Sequence, residues 1–216
     1  MYNNAVLRQD FEIAVKLFSN AFGITSEDAI KQFRPTQSRI RLEQNAVTTS
    51  TTYNFPALIN QGAPTNTEIR LNQQDSFVPT AIGFYLGNPT GATDAAYKLN
   101  SYLNPFLFNV AMQSIYNGQL SIMLNKTVYL NNWPLYWHWK SNQTQQTAAA
   151  GAGSPVDQLD GDCDGLKGMQ PFVLLIGTSN IQISISVPVA PTAVTANSRL
   201  ILVFDGILFQ NSTSTT

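Results

Sequence analysis

The chain has 216 residues, of which Asp, Glu, Lys and Arg make up 12%, roughly half the usual share, while Asn, Gln, Ser and Thr supply about a third. A net charge of −1, one His and one Cys exclude a polyanion binder driven by bulk charge, a zinc finger and a disulfide-stapled scaffold. Hydrophobic content of 44% is ample for a core, so the polar richness belongs to one folded domain, or to one domain with an appendage. No apolar run approaches the ~20 residues of a membrane helix, and Arg8, Asp10 and Glu12 interrupt the start of the chain, so no signal peptide is expected and the protein is read as made or assembled inside a cell.

From Ala5 to Phe22 the residues Val6, Phe11, Val15, Phe18 and Phe22 recur every three to five positions, with charged residues between them. That spacing predicts an amphipathic helix ending at Gly23. Thr25 followed by Asp28 reads as a capping box, which starts a second helix through Ala29, Ile30 and Phe33 and stops before Pro35. Residues 1–37 are therefore expected to form a helical arm. Its net charge is near zero, so it is not a nucleic-acid arm.

Beyond Ser38 the period changes to two, and Gly, Pro and Asn punctuate the chain. Strands are expected at Arg39 to Glu43, at Glu68 to Leu71, and along Val78, Thr80, Ile82, Phe84 and Leu86, which would share one face. Leu120, Ile122 and Leu124 pair with Val128 and Leu130 across Asn125-Lys126, the two-residue spacing of a tight hairpin. Ile181, Ile183, Ile185, Val187 and Val189 alternate with polar residues, as in a half-buried antiparallel strand. Phe172 to Ile176 and Leu200 to Phe204 are apolar throughout and predict strands covered on both faces. Residues 38–216 are thus read as a mainly β, antiparallel sandwich or jelly roll of about eight strands, with long loops near 88–104 and 142–165.

Two constellations could carry chemistry. Asp157, Asp160, Asp162 and Asp164, with Gly165 at the sixth position from Asp160, match the first half of a calcium loop, so Ca²⁺ is the one cofactor the residues offer. Pro171 stands where the bidentate Glu belongs, and an Asx-rich surface turn is the competing reading. Cys163 among these carboxylates is a poor nucleophile. The second is Trp133-Pro134-Leu135-Tyr136-Trp137-His138-Trp139. As a strand it would place Trp133, Trp137 and Trp139 on one face, either as a stacking platform or, more ordinarily, as core or subunit contact. Asp75, Asp94 and Asp205 leave carboxylate-pair hydrolysis formally open, but their spacing does not favour it and no nucleotide-binding or nucleophile-elbow motif occurs. An enzyme is not expected.

A surface poor in Lys and Glu suits burial against other protein, because charged groups are costly where water is excluded. With Phe11, Val15 and Phe18 on the arm and Trp133, Trp137 and Trp139 on the body as contact candidates, the expected partner is further copies of the chain. The span Thr67 to Leu86, the hairpin at Asn125 and the closing stretch Arg199 to Phe209 resemble a jelly-roll viral capsid protein, as of a bacteriophage. The resemblance implies a virion shell subunit assembled in the host cytoplasm, contacting other virion proteins and, through its arm, an inner membrane. The missing basic arm departs from capsid proteins that package nucleic acid, so no strong direct nucleic-acid binding is expected. The alternative is a calcium-assisted carbohydrate- or receptor-binding β-sandwich, acting in virion decoration or attachment through the Asp loop and the Trp row.

Overall fold

The computed structural model describes residues 4–91, 95, 97, 99–101, 108–139 and 165–213, with the side chains of residues 4–7 left aside. Helix α1 spans Asn4–Phe22 and α2 Ser26–Phe33. Gly23 takes φ +66 between them, a left-handed conformation that glycine adopts freely. Thr25 caps α2 as expected: its hydroxyl accepts from the Asp28 amide at 3.1 Å and donates to the Asp28 carboxylate at 2.6 Å.

Strands follow at β1 Thr36–Asn45, β2 Thr52–Phe55, β3 Ser76–Gly87, β4 Leu99–Asn100, β5 Gln119–Leu124, β6 Thr127–Pro134, β7 Leu166–Gly168, β8 Leu175–Ile176, β9 Ile181–Ser186 and β10 Arg199–Phe209. They form two sheets. Sheet A runs β1-β10-β3, with β4, β7 and β8 pairing in turn along the far edge of β3; sheet B runs β2-β9-β5-β6. Setting aside the two-residue strands β4 and β8, the antiparallel partners are first with last (β1 and β10), second with seventh (β2 and β9), third with sixth (β3 and β7) and fourth with fifth (β5 and β6). That nesting is what one long hairpin produces when it is wrapped into two facing sheets, so the sandwich is a jelly roll.

The core lies between the sheets. Leu42 from β1, Ile82, Phe84 and Leu86 from β3, and Leu200, Leu202 and Phe204 from β10 meet Leu120, Ile122, Ile183 and Ile185 from sheet B. A 3₁₀ helix, Val110–Asn117, adds Met112, Ile115 and Tyr116 at one side. Each such side chain contributes about 1.5–3 kcal/mol on leaving water.

The outer face of sheet A is also covered. Ala14, Val15 and Phe18 of α1 and Ala29 and Phe33 of α2 pack on Val78, Ile207 and Phe209, and the Phe18 and Phe209 rings stack with centroids 4.1 Å apart. Further along the same face, Tyr97 and Leu166 lie on Tyr85, Ile201 and Val203. The expected arm is therefore a roof over its own sandwich, and removing it would bare Val78, Ile207 and Phe209.

The hairpin at Asn125-Lys126 forms as the spacing predicts, with both residues at positive φ (47 and 73), the signature of a type I′ turn. Five expectations need correction. The strand expected over Phe172 to Ile176 is reduced to Leu175–Ile176, and the one expected to reach Val189 ends at Ser186, leaving Val189 63% exposed. Val78 does not share a face with Ile82 and Phe84: the ladder pairs Ala81 with Asp205 and Pro79 with Gly206, so Thr80 is an extra residue that reverses the phase. Pro79 has no amide hydrogen to donate, and Gly206 is required because a Cβ there would come within 2.1 Å of the Val78 carbonyl oxygen. Val128 points outward, because Ile122 pairs with Leu130 and Met123 with Val128, which leaves Tyr129 as an extra residue on β6. Glu68 to Leu71 makes only isolated bridges, Arg41 with Ile69 and Leu58 with Leu71, since its polar side chains turn into a charged cluster at the end of sheet A.

Candidate functional site

None of the residues of β2, β5, β6 and β9 is charged. Alternation buries Tyr53, Phe55, Leu120, Ile122, Ile183 and Ile185 and turns Asn54, Ser121, Gln182 and Ser184 outward. Register then sets Asn54 opposite Ser184 and Ser184 opposite Ser121, one polar row across three strands, while Gln182 faces Met123 in the next row. On the fourth strand Asn131 extends the first row by accepting a hydrogen bond from Ser121 Oγ at 3.4 Å. A groove of about 670 Å³ follows these rows. Its wall at the β2 end is the turn after Pro56, which is fixed because Gln61 Oε1 accepts from the amides of Ala57 and Leu58 at 2.9 and 3.2 Å. No such roof as the helices give sheet A lies over this face among the described residues.

Pro134 ends β6, and Leu135–His138 turn into a 3₁₀ helix. The expected strand-like row of Trp133, Trp137 and Trp139 is thereby corrected: Trp137 and Trp139 lie beyond the strand, and only Trp133 and Trp137 touch. Trp139 packs edge-on against Tyr116 at 4.6 Å and Trp133 packs on the core, while Trp137 is 47% exposed and Tyr136 58%. The Trp133 and Trp137 rings meet at 5.2 Å, so the exposed indole rests on a half-buried one. His138 is fully buried and holds the turn: Trp133 Nε1 donates to His138 Nε2 at 2.9 Å, and His138 Nδ1 donates to the Gly165 carbonyl at 2.5 Å. Those partners fit the neutral ring, and burial holds its pKa below the usual histidine value, against the Gly165 hydrogen bond and helped by Lys167.

A third group was not legible in the sequence. Glu43, with its side chain 1% exposed, is bound by Arg199 Nη1 at 2.7 Å and Arg41 Nη2 at 2.8 Å, and accepts from the hydroxyls of Thr67 and Thr65. Tyr97 lies under both guanidinium groups, 5.4 and 5.6 Å from their carbons. Beside it Glu68 pairs with Arg70 at 2.8 Å and accepts from the amides of Glu43 and Thr65. Burial raises the Glu43 pKa, but the hydrogen bonds from Thr67, Arg199 and Tyr97 and the charge of Arg41 outweigh it and leave it below the usual value. With both carboxylates engaged, the cluster is an internal brace.

The other candidates fall as follows. Val15 and Phe18 are covered by the chain itself and Phe11 is partly so, so these arm residues face sheet A. Asp205 makes a two-pronged pair with Arg39, at 2.5 and 2.8 Å, and Asp75 accepts from the Asn211 amide. Asp94, Cys163 and the loop residues Asp157, Asp160, Asp162 and Asp164 lie outside the described residues, and with them the calcium expectation. Among the described residues no cluster of three His, Cys, Asp or Glu side chains could hold a metal, and no helix is long and apolar enough to cross a membrane.

No family model, curated protein or solved structure matches the chain. The fold defines its class, a jelly-roll β sandwich in which helices roof one sheet and, among the described residues, none roofs the other.

Proposed function

We propose that the chain is a structural subunit that assembles with copies of itself into a viral shell, of the bacteriophage kind its sequence resembles. The observation that carries this reading is the exposed apolar rim along β6 and the turn after it. Val128 is 54% exposed and Tyr129 48% on β6, which forms one edge of sheet B, and Tyr136 and Trp137 in the turn after it are about half exposed. An edge strand carrying uncovered apolar side chains and no charge leaves apolar surface for another chain to cover. The bulge at Tyr129 and Pro134 limit ladder extension, which favours side-chain packing over a continuous sheet. Trp and Tyr are the residues that anchor such contacts.

The role is structural and needs no catalysis. Its partners are copies of the chain and other virion proteins, in a virion assembled in the host cytoplasm. The part of the arm left to meet a membrane inside the shell is the outward side of the roof, where Ile13 and Ile30 are exposed. The jelly roll supports the reading without carrying it, since one fold hosts many functions. Negative-stain microscopy of the purified full chain tests it: closed particles or symmetric rings are expected, and single subunits at all concentrations would refute it.

A further inference from the structure

We propose that the groove on the open face of sheet B binds a neutral oligosaccharide, which would make this face an attachment surface. The inference does not rest on the shell reading, because it needs no second copy; the groove adjoins the apolar rim and shares Val128 with it.

The polar part of the lining includes hydrogen-bonding groups with nothing of their own to bond among the described residues. The side chains of Asn54, Gln182 and Ser184 have no partner among the described residues, yet register brings them to one face with Ser121 and Asn131. An Asn or Gln amide offers a donor and an acceptor side by side, and a Ser hydroxyl offers both from one atom. That is the complement of the paired hydroxyls of a sugar ring. Neighbouring strands lie about 4.8 Å apart, so the Asn54-Ser184-Ser121 row repeats such groups at intervals suited to successive rings of a linear saccharide. Met123, in the same groove, supplies an apolar patch for the C–H face of a sugar.

Other ligand classes fit poorly. No lining residue is charged, so a phosphate, sulfate or carboxylate would enter without a counter-charge, and the aromatic residue of the lining, Phe55, is buried in the core and offers no face to a nucleic-acid base. A protein partner would have to match each free amide with a group of its own, since an amide buried unpaired is costly, whereas a sugar ring carries hydroxyls around its edge. The volume of about 670 Å³ falls within the usual range for a small-ligand site, about 300–1,000 Å³.

The test is calorimetric titration of the full chain with maltohexaose, cellohexaose, mannohexaose and chitohexaose, and with oligogalacturonate as the acidic counter-probe. At least one neutral hexasaccharide is expected to bind saturably. The double variant Asn54→Ala, Gln182→Ala should weaken that binding about tenfold or more, as two lost hydrogen bonds would, with an unchanged thermal midpoint because both positions are exposed. Absence of saturable binding to all four neutral probes, preferential binding of oligogalacturonate, or affinity retained in the double variant but lost in Trp137→Ala would overturn the assignment. A monomer that binds sugar supports this inference while refuting the shell, so the two fail separately.

Discussion

The two sheets of the sandwich have nearly the same inner faces and opposite outer ones. Sheet A carries Arg39, Arg41 and Glu43 on β1 and Arg199 and Asp205 on β10, and it resolves them internally: Glu43 within the Arg41–Arg199 cage, Asp205 with Arg39. What remains of its outer face is covered by α1, α2, Tyr97 and Leu166. Sheet B has no charge to resolve, and among the described residues nothing roofs its polar rows as the helices roof sheet A. Charge on the strands of sheet A therefore serves to brace the body, and the polar rows that sheet B turns outward are neutral. A low charge count averaged over the whole chain hides that division.

The division predicts that substitutions on the two sheets break different things. The largest loss of stability is expected from Arg199→Met, which leaves the buried Glu43 carboxylate short of its nearest cation and should cost about 3–5 kcal/mol in chemical denaturation. The exposed pair is the contrast: Arg39→Met should cost under about 1 kcal/mol. Next comes Phe18→Ala, which removes the ring stacked on Phe209 and should cost about 3 kcal/mol; hydrogen exchange should show α1 and α2 opening before the sandwich.

The pH dependence separates two groups. His138 is the chain's only histidine, and its folded pKa lies below the ordinary 6.5. As pH falls through 6.5 the unfolded chain takes up a proton that the buried ring refuses, so stability declines from there downward. In His138→Asn that decline should vanish between about pH 7 and about pH 5, at the expense of lower stability throughout. Glu43 acts further down. Its folded pKa is below 4.5, so the stability it provides is full above that value and is lost as pH falls through the depressed one. The acid limb below pH 4.5 should therefore flatten in Glu43→Gln.

The smallest effects on stability are expected on sheet B and its edge, where the functional effects are greatest. Trp137→Lys and Tyr129→Lys should shift stability by no more than about 0.5 kcal/mol, as exposed substitutions do, yet prevent association.

Features governed by neighbours in the chain were readable from the residues. The Thr25 cap, the end of α1 at Gly23, the Asn125-Lys126 turn and the alternation of β9 each follow from local chemistry. Where distant strands decide, periodicity misleads. Val78 lost its expected face because Pro79 and Gly206, 127 positions apart in sequence, meet across a bulge. Glu43 reads as one more polar residue on an alternating strand until pairing with β10 brings Arg199 beside it. The Trp133 to Trp139 row failed for a local reason that was visible: Pro134 marked a strand end, and the alternation was carried past it. The polar rows of the groove were present as residues, but only the β2-β9-β5 register places them side by side.

Sedimentation velocity tests the central division most directly, on the full chain and on Trp137→Lys, with Ile30→Lys on the roof of sheet A as the counterpart. The wild type and the roof variant should both sediment as multimers and Trp137→Lys as a monomer. A monomeric wild type, or association lost in the roof variant and kept in Trp137→Lys, would contradict a body that braces itself with one sheet and meets its copies through the edge of the other.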